Sequence, residues 1–183
     1  MANTKEKSKT NHAARGGSGE KSTRRQNAEK GFVAPKELGV SLQAVLVDLL
    51  ELSMQGKEAH WNVVGHNFRD THLQLDEIVA AVREFSDTIA ERMRALHAIP
   101  DGRSDTVAST TTLPEYPHGE IDTAETIDLI TVRLEAVVGT MRDVHDAVDE
   151  ADPTSADILH AIIEKLEQFA WMVSAENRKP AKR

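Results

Sequence analysis

From Leu38 onward the apolar residues of this chain recur at intervals of three and four: Leu38, Leu42, Val45, Leu46, Leu49 and Leu52. That is the period of a helix with one buried face. The pattern predicts a first helix with Pro35 in its first turn, running on to about Val64. Gly65, His66 and Asn67 then read as a turn. A second stripe, Leu75, Ile78, Val79, Val82, Phe85, Ile89, Met93 and Leu96, predicts a helix from about Arg69 to just before Pro100. Residues 100–121 are irregular, with three prolines and two glycines, and allow a short helical piece at 105–109. A connection of that length exceeds the usual few residues, so it is expected to have a job. Asp122 and Glu125 resemble a capping box. A third helix follows, striped by Ile127, Ile130, Leu134, Val137, Val138, Met141, Val144 and Val148. Asp152 and Pro153 end it and open a fourth, with Asp152 as N-cap and Pro153 in first position. Leu159, Ile162, Ile163, Leu166, Phe169 and Val173 carry that helix to about Asn177.

Two short connections and one long one decide the wiring. Short loops make the first and second helices antiparallel neighbours, and likewise the third and fourth. A long crossover in the middle is the ferritin-like way to wire a four-helix bundle. The fold class expected is therefore all-α. Residues 1–31 contain no Val, Ile, Leu or Phe, so they can bury no core and are expected to be a disordered basic tail. The bundle is assigned to 32–177 and a short basic tail to 178–183.

Charge sharpens this division. Residues 1–30 hold eight Lys/Arg against three Glu, and the last six residues hold four more basic side chains. Residues 31–177 hold 27 Asp/Glu against ten Lys/Arg. An acidic body with basic ends suits cations on the body and a polyanion on the ends. The chain has no cysteine, which excludes disulfides and thiolate ligands and fits a reducing cytosol. No secretory signal and no membrane-length apolar run is visible.

The chemistry lies between Lys57 and Arg94, where His60, His72, Asp76, Asp87 and Glu91 gather. With His72 at zero on a helical wheel, Asp76, Asp87 and Glu91 fall at about 40°, 60° and 100°, on one polar face opposite the apolar stripe. His60 and His72 flank the turn, so antiparallel packing can bring them together. Asp76 and Glu91, however, are about 22 Å apart along one helix. Either the five do not form one site, or a second copy of the chain completes it. In the second case a two-fold axis generates two equivalent sites. Imidazole and carboxylate ligands together suit Fe(II), Mn(II) or Zn(II). The alternative Glu-x-x-His ligand spacing of ferritin-like proteins occurs only at Glu115 and His118, in the irregular stretch, and is given no metal role. His12, His66, His97, His145 and His160 are not expected to be ligands of the main centre.

The run from Lys57 through His60, Trp61, Asn62, Val63, Val64, Gly65, Asn67 and Phe68 to His72 and Asp76, followed by Asp87, Glu91 and Arg92, resembles the signature of the Dps proteins, the mini-ferritins, in an actinobacterial-like form. The resemblance covers 32–177. It implies a hollow dodecamer of ferritin-like bundles. It implies ferroxidase centres at two-fold interfaces, with His60, His72 and Asp76 from one subunit and Asp87 and Glu91 from its neighbour. It implies iron as the metal, hydrogen peroxide as preferred oxidant, ferric mineral storage, and a cytoplasmic, nucleoid-associated location. Lys57 is expected to hold a water or a carboxylate beside the centre. Trp61 is expected either to trap stray oxidising equivalents or to fill the core or an interface. Arg92 is expected to pair with an interfacial carboxylate.

Two further sets of residues follow from charge. Asp146, Asp149, Glu150, Asp152 and Asp157 flank the last turn and could focus cations at a three-fold pore, or simply solvate and cap it. Lys5, Lys7, Lys9, Arg15, Lys21, Arg24 and Arg25, with Arg178, Lys179, Lys182 and Arg183, could bind DNA without sequence preference, multiplied by every subunit. The alternative function is a mainly architectural DNA-compacting protein whose metal site is structural.

Overall fold

The computed structural model describes residues 32–180. The tail assigned to 1–31, with its seven candidate DNA contacts, and the pair Lys182 and Arg183 lie outside them. The elements are α1 (Lys36–Asn62), β1 (Val63–Val64), α2 (Phe68–Ala95), α3 (Ser104–Thr110), β2 (Ile121–Asp122), α4 (Thr123–Ala151) and α5 (Pro153–Ala175). α1 packs on α2 and α4 on α5, and α1 and α4 meet across the middle. This is the ferritin-like bundle with its long crossover between the second and third long helices.

The apolar stripes are what the core is made of. Leu42, Val45, Leu49, Val82, Ile89, Ile130, Leu134, Val137, Met141, Leu159 and Leu166 have no solvent exposure. α1 and α2 approach closely at Gly56, where an added Cβ would sit 2.7 Å from Val79 Cγ2. Only a missing side chain permits that contact.

The element ends differ from the sequence expectation in three places. Pro35 stands just ahead of α1, in the cap position, rather than inside its first turn. α1 stops at Asn62, because Val63 and Val64 turn extended and pair in parallel with Ile121 and Asp122. This two-residue ladder was not foreseen; it joins residues far apart in sequence. α2 ends with His97 in the left-handed region at φ 63°. There the amide of Ala98 donates to the Met93 carbonyl at 2.9 Å and that of His97 to Arg94 at 3.1 Å, the two bonds of a Schellman stop.

The crossover is bolted down by polar side chains. Gln43 exchanges two hydrogen bonds with the backbone of Asp101, at 2.7 and 2.8 Å. Asp48, 1% exposed, accepts from Thr111 Oγ1, Thr112 N, Thr112 Oγ1 and Thr140 Oγ1 at 2.6–2.9 Å. Buried Arg133 donates to the carbonyls of Pro114 and Glu115 and to Gln55 Oε1, and its guanidinium lies 4.9 Å from the Tyr116 ring centre. Asp48 and Arg133 are charged residues inside a core. Both are satisfied, which is the condition for a charge to be there at all. Asp122 caps α4 as expected, accepting from the amides of Ala124 and Glu125.

Candidate metal centre

His60 closes α1 and His72 lies in the second turn of α2. The turn between them is fixed by two residues with positive φ, Gly65 at 113° and Asn67 at 60°. It is also tied from outside, because Thr123 Oγ1 donates to the His66 carbonyl at 2.6 Å and β1 pairs with β2. The crossover therefore helps hold the histidines together, which gives that long stretch a job.

The two imidazoles stack at 3.6 Å between centroids, with planes 23° apart. His60 Nδ1 is 3.0 Å from the His72 carbonyl, and His72 Nδ1 is 2.9 Å from the His60 carbonyl. A carbonyl can only accept, so each Nδ1 carries the proton. Each Nε2 keeps its lone pair, the state a metal ligand needs. Asp76 completes the group: one ligand atom from each of His60, His72 and Asp76 lies within 4.8 Å of the others. Lys57 Nζ sits 2.6 Å from Asp76 Oδ1. That hydrogen bond holds the Asp76 carboxyl below the usual carboxylate range, outweighing the opposing effect of desolvation. The carboxylate named for Lys57 is thus Asp76 itself. Two imidazoles and a carboxylate fit a borderline divalent ion.

Asp87 and Glu91 are exposed on α2, three turns or more beyond Asp76 and outside that cluster. A single chain brings together three of the five candidates and leaves the other two facing solvent. The surface around the three is apolar and open: Trp61 is 68% exposed, Met54 49%, Phe68 44% and Leu73 42%. Trp61 is therefore not core filler within the chain. It borders a groove of about 470 Å³ shared with Lys57, Glu58 and Tyr116.

Arg92 does not await a partner subunit. It donates to Asp152 Oδ2 at 2.6 Å and to Ser155 Oγ at 3.0 Å. Asp152 is 8% exposed, and its side chain does not cap α5 although it stands in the cap position. Its carboxylate is taken up by Arg92 and Ser155, so it differs from Asp146, Asp149, Glu150 and Asp157, which are exposed. Asp152 is withdrawn from the pore set for that reason. Burial pushes its pKa up, but the hydrogen bonds from Arg92 and Ser155 outweigh this and hold it below the ordinary value. The stabilisation is complete above the unfolded carboxylate pKa and is lost as pH falls through the lowered one. Thermal melts of Asp152→Asn are expected to show lower stability than wild type at neutral pH and a shallower further loss below about pH 4.

Nothing in sequence spacing signalled the reciprocal histidine–carbonyl bonds. The pairing of Arg92 with Asp152 was equally hidden. Arg178 and Lys179 are exposed, just past Asn177, which ties the end of α5 to Ala124 and Asp128 at 2.7 and 2.8 Å.

Residues 41–181 match the family described as a ferritin-like domain. The fold is similar to the structure of Dps from Microbacterium arborescens in the high iron form, with a TM-score of 0.75 and 31% identity, over 81% of this chain and 100% of that one. The chain belongs to the Dps family of ferritin-like proteins. Among curated Dps-like relatives, DNA protection during starvation protein 2 of Deinococcus radiodurans is 33% identical over 74% of this chain. The match spans 56% of that protein's length. The fine tangled pili major subunit of Haemophilus ducreyi is 38% identical over 74% of this chain and 71% of its own. Among the described residues no helix is long and apolar enough to cross a membrane.

Proposed function

We propose that this Dps-family protein is a ferroxidase that binds Fe(II), oxidises it with hydrogen peroxide and stores the ferric product inside a dodecameric shell. The observation that supports this reading is that His60, His72 and Asp76 each offer a ligand atom within 4.8 Å of the others, while the reciprocal carbonyl bonds leave both Nε2 lone pairs free. Three ligands leave positions open for water and oxidant. Asp87 and Glu91 of a neighbouring subunit supply the remaining oxygen donors, which favour the harder Fe(III). The exposed apolar rim of Met54, Trp61, Phe68 and Leu73 is the surface that such a neighbour covers. Two Fe(II) give one electron each to one peroxide. The O–O bond breaks, two protons are taken up and two waters form, with no hydroxyl radical released. Lys57 keeps Asp76 ionised and shares its charge until a cation arrives. Exposed Trp61 stands beside His60 to accept a stray oxidising equivalent. Asp146, Asp149, Glu150 and Asp157 draw cations toward the α4–α5 turn, and further acidic groups line the cavity where mineral nucleates. Peroxide-driven Fe(II) oxidation is the test. The double variant His60→Ala/Asp87→Ala is expected to lose it, and undiminished turnover would sink the proposal.

The same protein is proposed to bind DNA through its basic ends and to work in the cytoplasm at the nucleoid. Charge supports this: the body carries a large acidic excess and cannot approach phosphates, whereas the ends are basic. Deleting residues 1–30 is expected to weaken DNA retardation and flatten its dependence on salt. Retardation unchanged by the deletion at several salt concentrations would refute the N-terminal model. If oxidation survives loss of the ligands while DNA is still compacted, the architectural reading with a structural metal takes over.

A further inference from the structure

A second pair of histidines lies at the opposite end of the bundle from His60 and His72. His145 sits in the penultimate turns of α4 and His160 on the second turn of α5. α4 begins beside the His60–His72 turn, where β1 and β2 pair, so His145 is about 30 Å away along the helix. His145 Nε2 and His160 Nε2 are 2.6 Å apart, with ring centroids at 4.5 Å. What stands behind each ring is equally telling. Asp146 Oδ1 is 3.1 Å from His145 Nδ1, and Asp157 Oδ1 is 3.8 Å from His160 Nδ1.

A carboxylate at hydrogen-bond distance from Nδ1, as Asp146 is for His145, holds the ring proton there and leaves Nε2 free for a metal. This is the outer-shell arrangement of metal-bound histidines. At 3.8 Å Asp157 is a charged neighbour of His160 and not a hydrogen-bond acceptor, so His160 Nε2 is free to carry its ring proton and donate to His145 Nε2 across 2.6 Å. A metal ion takes the place of that hydrogen when His160 adopts its other tautomer. A shared proton fits the observed separation. A metal at about 2.0–2.1 Å from each nitrogen needs the pair to open by less than about 1 Å. His160 has 58% of its side chain exposed against 22% for His145, so His160 is the ring that can move that far.

The cavity they border, about 340 Å³, also contains Glu164 and Arg142. Glu164 is one helical turn beyond His160, on the same face, and supplies an oxygen ligand after a rotamer change. Arg142 does not oppose a cation there, because its guanidinium is paired with Glu167.

We infer that His145, His160 and Glu164 form a second metal site, for a borderline divalent ion of the zinc(II) class, separate from the proposed iron centre, with Asp146 holding the His145 tautomer. Two imidazoles, one carboxylate and a water make the four-coordinate set that zinc favours. The inference does not depend on the ferroxidase reading.

The probe is zinc(II) itself, titrated calorimetrically into the assembled full-length protein, with bound zinc counted after desalting. The wild-type protein is expected to hold one more zinc per chain than His160→Ala or His145→Ala. Asp146→Asn is expected to keep the site with affinity reduced about 10–100-fold. Cobalt(II) gives a second readout: visible ligand-field bands of the second site vanish in His160→Ala while those of the first remain. Identical elution of the assembled particle on size exclusion shows that the variants are folded. Peroxide-driven iron oxidation is expected to be unchanged in His160→Ala. Equal zinc stoichiometry in wild type, His145→Ala and His160→Ala would overturn the inference and leave the pair as one that shares a proton.

Discussion

When His60→Ala and Asp87→Ala subunits are produced together in equal amounts, iron oxidation is expected to return to about one quarter of the wild-type rate, although either variant alone is nearly inactive. The arithmetic follows from two-fold symmetry. Random pairing makes half the dimers hybrid. In each hybrid one site collects both substitutions and the other collects neither. One site in four is therefore intact. In the proposed shared centre each variant by itself lacks a direct ligand at every site, so its loss should exceed the roughly 10–100-fold known for substitutions of outer-shell partners. The measurement is the initial rate of Fe(II) oxidation by peroxide, with the hybrid fraction counted by mass spectrometry. Hybrids formed without recovered rate would mean that the two halves do not share a centre. The physical ground is geometric: His60, His72 and Asp76 converge, whereas Asp87 and Glu91 look outward from the same helix.

Replacing Asp48 with Ala is expected to cost about 3 kcal/mol or more, the price of leaving buried partners unmatched. The Asp48 carboxylate collects four donors from Thr111, Thr112 and Thr140. Without it, three hydroxyls and one amide lose their acceptor, and the crossover loses its hold on α1 and α4. For a chain of this size the melting temperature should fall by roughly 6–12 °C, measured at fixed protein concentration. Asp48→Asn keeps the shape and part of the acceptor capacity and should cost clearly less. Equal melting of wild type and Asp48→Ala would show that this cluster contributes nothing. Loss of iron oxidation in Asp48→Ala at temperatures where it is fully folded is not expected, because the crossover reaches the histidines through Thr123 and β2 rather than through Asp48.

The helices were readable because their information is local. Leu38 to Leu52 and Leu75 to Leu96 repeat at the helical period, and the core buries those residues except Phe85, which is half-buried against it. Chain breaks were equally plain at Gly65 and at Pro153. The convergence of His60, His72 and Asp76 was readable too, since two histidines astride a tight turn must end up near each other. Element ends were less so. The Val63–Val64 ladder depends on Ile121 and Asp122, nearly sixty residues on, and no local pattern announces a pairing of that range. Asp152 illustrates the same limit from the other side. Its position before Pro153 marked a helix cap, but Arg92 of α2 takes its carboxylate and removes it from the acidic surface around it.

Sequence alone determined four amphipathic helices, their wiring, the donor types of the centre and the division of charge between body and ends. These are properties of spacing and composition, which survive any arrangement of the chain. Tertiary structure decided which nitrogen of each histidine is free, what Lys57, Arg92 and Arg133 hold, and that the crossover is anchored through Asp48. It also placed His145 against His160. Each of these rests on atoms brought within about 3 Å by packing, across sequence separations that one-dimensional patterns do not encode.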